Sequence, residues 1–169
     1  MDYVIAVDLG GTQLRAALVA ADGRVVAHER TPTLVQEGPL AVVGRMLTLI
    51  ARVRLLLPAG GRLLGVGIGA PGPLDPETGI VYSPPNLPGW EAFPLRQMVA
   101  DALGLPVALG NDANAAALAE WRFGGGQGRQ HIVYITVSTG IGGGGLGGGR
   151  PLLGRLGPGP PLGFPLPGP

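Results

Sequence analysis

YVIAVDLGGTQLRAALVAADGRVVAHER, Tyr3 to Arg30, decides what kind of fold this chain builds. Tyr3 to Val7 is a short apolar run with β-branched residues, ending at Asp8, and reads as a buried strand. Leu14 to Ala20 reads as a second strand, Ala20-Ala21-Asp22-Gly23 as a tight turn, and Val25 to Arg30 as a third. Three strands joined by short turns predict an antiparallel meander. The polar and glycine residues Asp8 to Thr12 lie at its first turn.

Outward from that meander the pattern changes. Pro39 opens a run with apolar residues at 40, 43, 47, 50 and 53, close to helical spacing, and Pro58 ends it. Leu63 to Gly69 is an apolar strand that leads into APGPLDPETG, a dense cluster of turn formers. Pro94 to Leu103 reads as a helix closed by Gly104, Val107 to Leu109 as a short strand, Asp112 to Phe123 as an Ala-rich helix, and His131 to Val137 as a strand. Strands alternating with helices after an antiparallel start predict an α/β domain with a mixed sheet.

Composition narrows the function. The 12 basic residues, all arginine, nearly balance 11 acidic ones and are scattered, which argues against nucleic acid or an anionic membrane as main partner. With no cysteine there is neither a disulfide framework nor a thiolate zinc site. The N-terminus carries an acidic residue at position 2 and an apolar run broken by Asp8, so it reads as neither signal peptide nor membrane span, and a cytoplasmic location is expected.

Four short motifs could carry chemistry, and each also has a plain structural reading. In DLGGT, Asp8 to Thr12, two glycines let backbone amides approach an anion, Thr12 offers a hydroxyl and Asp8 could hold magnesium through water; an ordinary hairpin turn is equally compatible. In GNDANAAALAEW, Asn111 and Asp112 stand where a strand ends and a helix begins, a usual ligand position in open α/β sheets. Asp112 there could take a proton from a hydroxyl, or one of the pair could simply cap the helix. In SPPNLPGW, prolines stiffen the backbone around Asn86, either to present its amide to a polyol or to make a rigid surface turn. Trp90 could cover a sugar ring or pack locally. STGIGGG, Ser138 to Gly144, follows a strand and could cradle phosphates, but it has neither the Walker nor the dinucleotide pattern. His28 and His131 stand apart and read as structural or solvent-facing.

Taken in order, VDLGGT, GIGAPGPLD, PPNLPGW, NDANAAALAEW and TVSTGIGGG closely resemble the ROK family (repressors, open reading frames and sugar kinases), especially its bacterial glucokinase-like members, over about residues 3 to 144. The resemblance implies the actin-like, ribonuclease H-like ATPase fold: two α/β domains around a cleft where a hexose and MgATP meet. It implies a near-complete N-terminal domain over 1–124, the start of a second over 125–144, and a Gly/Pro-rich tail without a packed core over 145–169.

Carried over by position, the resemblance assigns Asp8, Gly10, Gly11 and Thr12 to a phosphate and Mg2+ loop, with Asp8 holding the metal through water. Gly72, Asn86, Asn111 and Asp112 fall to the sugar site, with Asp112 as the base for the 6-hydroxyl. Thr139, Gly140, Gly142 and Gly143 would form a second phosphate loop. The implied activity is ATP-dependent phosphorylation of a hexose. Because DLGGT begins at residue 8, the resemblance favours a kinase over a regulator with a DNA-binding domain ahead of it.

After GIGGG the family's Glu-x-Gly-His element is absent, as are the cysteines of its structural zinc, and Gly and Pro dominate. A truncated or frameshifted continuation, with impaired or no activity, is therefore expected; a non-catalytic sugar-binding fragment is the alternative. The family is homo-oligomeric, largely through the second domain, and the resemblance leaves the oligomeric state of this chain open.

Overall fold

The computed structural model describes residues 1–137, 141–148 and 150–152. They form two compact units, one of Met1–Asp112 and one beginning at Ala113. The division falls ahead of the boundary expected at residue 124.

The first unit holds the predicted meander, β1 (Asp2–Leu9), β2 (Gln13–Ala20) and β3 (Val25–Pro32). Next come α1 (Pro39–Arg54), β4 (Arg62–Ala70), a two-residue-per-strand hairpin β5 (Leu74–Asp75) and β6 (Ile80–Val81), α2 (Leu95–Leu103) and β7 (Val107–Asn111). The main sheet has the order β3-β2-β1-β4-β7. Its first three strands pair antiparallel, while β1, β4 and β7 run parallel, so the sheet is mixed as expected.

Alternation explains which face is buried. Tyr3, Ile5, Val7 and Leu9 of β1, with Leu14, Ala16, Leu18 and Ala20 of β2, point into one core, and Asp2, Val4, Ala6 and Asp8 take the other face. Helix α1 supplies Val42, Val43, Met46, Leu49, Ile50 and Val53 to that core. Complete burial of each such side chain contributes about 1.5–3 kcal/mol. The stripe is turned relative to the one expected from sequence: Leu40, in the first turn, is 67 % exposed, and Val42, Met46 and Leu49 are buried instead.

What the topology does for function is bring the C-terminal ends of β1, β4 and β7 to one edge. Asp8 pairs with Gly69, Gly69 with Gly110, and Ala70 with Asn111. With strands about 4.8 Å apart, the backbone of Asp8 and that of Gly110 lie about 10 Å from each other.

The second unit contains most of α3 (Asp112–Phe123) and an antiparallel sheet of β8 (Ile132–Val137), β9 (Ile141–Gly147) and β10 (Arg150–Pro151), in the order β10-β9-β8. The glycine run is thus a strand as far as Gly147, beyond residue 145, where composition suggested that packed structure ends. A Cβ on Gly144 would lie 2.5 Å from the Ala113 carbonyl oxygen, so this strand passes the start of α3 at a distance only glycine allows. Leu146 is buried. No helix among the described residues is long and apolar enough to cross a membrane.

Candidate functional site

The loop after β1 is held from behind by a residue the sequence reading did not single out. Thr33, wholly buried, donates its hydroxyl to the Gly10 carbonyl at 2.7 Å and its backbone N–H to the Thr12 carbonyl at 2.9 Å. Gly10 N–H closes the turn on the Gln13 carbonyl at 3.0 Å. Among the described residues, the N–H groups of Gly11 and Thr12 and the Thr12 hydroxyl make no hydrogen bond within the protein. Two spare amides and a hydroxyl on a fixed loop are the donor set of an anion cradle.

Asp8 sits at the end of β1, opposite Arg15 on β2, whose guanidinium donates to its carboxylate at 3.2 Å. Both side chains are about half exposed. Among the described residues no three Asp, Glu, His or Cys side chains gather as a metal cage. Mg2+ requires none where substrate phosphates and water fill most of its octahedron, so a single carboxylate at this loop fits the ion.

Asn86 stands at the tip of a closed loop. Ser83 N–H donates to the Trp90 carbonyl and Leu87 N–H to the Pro84 carbonyl, both at 2.9 Å, while Val81 and Phe93 exchange two hydrogen bonds at the neck. Leu87 and Trp90 are fully buried, and the Trp90 ring lies 4.7 Å from that of Phe93 at an interplanar angle of 55°. Trp90 therefore packs locally and has no exposed face to lay on a sugar. Its indole Nε1 has no hydrogen-bond partner among the described residues. Asn86 itself is exposed.

The remaining predicted sugar residues meet at the ends of β4 and β7. A Cβ on Gly72 would lie 3.4 Å from Asn111 Nδ2, and one on Gly69 would lie 3.7 Å from Asp112 Cα. Asp112 is exposed in the first turn of α3, where the helix N-terminus favours its charge. On the loop side, a Cβ on Gly11 would lie 3.0 Å from Asn86 Cβ. The first unit thus brings Asp8, Gly10, Gly11, Thr12, Gly72, Asn86, Asn111 and Asp112 to the strand-end edge.

Of the second phosphate loop, Thr139 and Gly140 lie outside the described residues; Gly142 and Gly143 lie in β9, paired with Thr136 and Ile135. A concavity of about 720 Å³ opens on the outer face of β1–β3, lined by Ala6, Asp8, Arg15, His28 and Arg30 among others. It shares only Asp8 with the predicted site. His28 and His131 are exposed.

A ROK family model matches residues 4–167, further than the five motifs reach. A glucokinase of Thermotoga maritima is 44 % identical over 160 residues, which are 95 % of this chain and 49 % of that protein. Among solved structures, a ROK hexokinase from Thermus thermophilus matches with a TM-score of 0.79 and 42 % identity, covering 90 % of this chain and 49 % of that one. A ROK family glucokinase from Streptomyces griseus, in complex with glucose and AMPPNP, matches with a TM-score of 0.81 and 37 % identity over 90 % of this chain and 47 % of that one. A ROK family transcriptional regulator also matches, at 30 % identity and a TM-score of 0.79. The fold is that of the ROK sugar kinases, the expected actin-like ATPase class. This chain spans about half the length of the relatives it matches.

Proposed function

Because this chain belongs to the ROK family, we propose that its first unit is the sugar-binding and phosphate-binding side of an ATP-dependent hexose kinase of the glucokinase kind. The observation that carries the reading is the convergence of Asn86, Asn111, Gly72 and Asp112 with the Asp8–Thr12 loop at one sheet edge. The glucose and AMPPNP bound by the Streptomyces griseus relative support both ligand classes.

On this reading the amides of Asn86 and Asn111 pair with sugar hydroxyls, since an amide offers both a donor and an acceptor to a diol. Asp112 accepts the proton of the 6-hydroxyl as its oxygen attacks the γ-phosphorus, and the phosphorus–oxygen bond to ADP breaks in line. The Gly11 and Thr12 amides and the Thr12 hydroxyl hold phosphate oxygens, and Asp8 orients the metal's water shell. Bound Mg2+ neutralises phosphate charge. Thr139, Gly140, Gly142 and Gly143 are proposed as a further phosphate loop, on the second unit. The same proposal takes 1–124 as the N-terminal ATPase domain, 125–144 as the start of a second and 145–169 as a tail.

A coupled assay of ADP release with glucose and MgATP tests this, with Asp112→Asn as control. Loss of the base is expected to cost about 10²–10⁴-fold in turnover. The gathering of Gly72, Asn86, Asn111 and Asp112 within the first unit supports a second reading, a sugar-binding module without turnover. Saturable glucose binding without ADP release would select that module, and a chain that neither turns over nor binds glucose would sink both readings.

A further inference from the structure

The contact between Gly11 and Asn86 joins the two halves of the proposed site. A Cβ on Gly11 would stand 3.0 Å from Asn86 Cβ and 3.1 Å from the Asn86 carbonyl oxygen. The backbone of Gly11 is not left-handed, so its own conformation does not demand glycine. What demands it is the approach of Asn86. Gly10 differs: a Cβ there would meet the Gln13 carbonyl oxygen at 3.0 Å, inside its own turn.

Asn86 has little freedom to yield. Its loop is closed at Val81–Phe93 and Ser83–Trp90, its apolar side is filled by Leu87 and Trp90, and Ser83 and Ala92 both hold left-handed conformations, at φ 44° and 48°. Pro84, Leu87 and Trp90 anchor the loop from its buried side. No hydrogen bond within the protein orients the Asn86 side chain among the described residues, so packing against Gly11 sets where the amide stands.

We infer that Gly11 is a positioning residue for the sugar: its bare backbone is the seat on which Asn86 rests, so this glycine of the phosphate loop governs hexose affinity through Asn86. The inference rests on the reading of Asn86 as a sugar ligand. It also links the ligands, because a phosphate held by the Gly11 amide fixes the seat of Asn86, and such coupling is reciprocal.

The test uses the full chain and isothermal titration with glucose and, separately, MgADP. Gly11→Ala is expected to weaken glucose binding about tenfold, the scale of one displaced hydrogen-bond partner, and to weaken MgADP binding by a clearly smaller factor. Gly10→Ala should do the opposite. Combined with Asn86→Ala, Gly11→Ala should add nothing, since both act through one side chain.

Additive losses, or a Gly11→Ala effect confined to MgADP, overturn the inference. If Gly11→Ala does not fold, amide spectra of the unsubstituted chain decide: glucose must shift Gly11 together with Asn86, and a silent Gly11 overturns it. If the unsubstituted chain binds no glucose, the sugar-site reading itself fails. The packing claim then stands or falls separately, on whether Gly11→Ala shifts the Asn86 side-chain amide more than Gly10→Ala does.

Discussion

The hydroxyl of Thr33 reaches back 23 residues to the carbonyl of Gly10, at 2.7 Å, from a position with no solvent exposure. With its backbone N–H on Thr12 as well, Thr33 occupies two carbonyls of the loop, whose Gly11 and Thr12 amides make no hydrogen bond among the described residues. Thr33→Val keeps the shape and removes the hydroxyl, so the Gly10 carbonyl loses that partner. The expected cost is about 1–3 kcal/mol in urea denaturation, accompanied by weaker MgADP binding. An unchanged midpoint would mean that the hydroxyl does not hold the loop.

Asp8 and Arg15 face each other across β1 and β2 at 3.2 Å with both side chains half exposed. An exposed pair of this kind contributes about 0–1 kcal/mol, so Arg15→Ala should barely move the melting temperature. If Asp8 orients a magnesium water shell as proposed, the guanidinium competes for the same carboxylate and the effect should instead appear in metal dependence. Arg15→Ala is expected to lower the Mg2+ concentration needed for ADP binding, and Asp8→Asn to raise it. Titration of Mg2+ at fixed ADP checks both, and identical curves for the two variants would remove Asp8 from the metal site.

Much of this was legible in the sequence where a pattern repeats. The meander could be read because Tyr3 to Val7 is an apolar, β-branched run and Asp22-Gly23 marks the turn from β2 to β3. Polar residues at predicted strand ends, Asp8, Asn111 and Asp112, lie at the shared edge because parallel strands deliver their ends together. Thr33 carried no signal, since its role exists only through a contact 23 residues away. Strands β5 and β6 hid among turn formers because two residues are too few to alternate. Strand β9 was invisible because glycine has no side chain to register a face.

Asp75 offers a pH readout. The Thr78 hydroxyl, then the Glu77 amide at 2.8 Å from Oδ1, hold its carboxyl below the ordinary aspartate range. A carboxyl depressed on folding contributes stability that is full above the unfolded value of about 3.9 and is lost as pH falls from there through the folded value. Asp2, depressed chiefly by its hydrogen bonds to Arg62, acts in the same direction. Asp75→Asn should therefore flatten the acid limb of the stability curve by lowering stability at neutral pH, while costing less near pH 3, where the carboxyl is already being protonated. Chemical denaturation at pH 3 and pH 7 measures this, and parallel losses at both would show that Asp75 acts through shape alone.

Trp90 provides the stability test of the loop that carries Asn86. Its indole is wholly buried against Phe93 and its Nε1 has no hydrogen-bond partner among the described residues, so the side chain holds the loop by volume. Trp90→Ala should cost about 3–5 kcal/mol through lost burial and the cavity left behind. Trp90→Phe should cost less, because it keeps part of the ring volume and removes the unpartnered donor at the same time. The second tryptophan, Trp121, donates its Nε1 to the Arg129 carbonyl at 2.8 Å and belongs to the other unit. The blue-shifted part of the emission should thus vanish in Trp90→Phe and persist in Trp121→Phe. Glucose affinity that falls in Trp90→Phe in step with stability would tie the tip at Asn86 to this plug, whereas unchanged affinity would show that the tip is held by Gly11 and the neck alone.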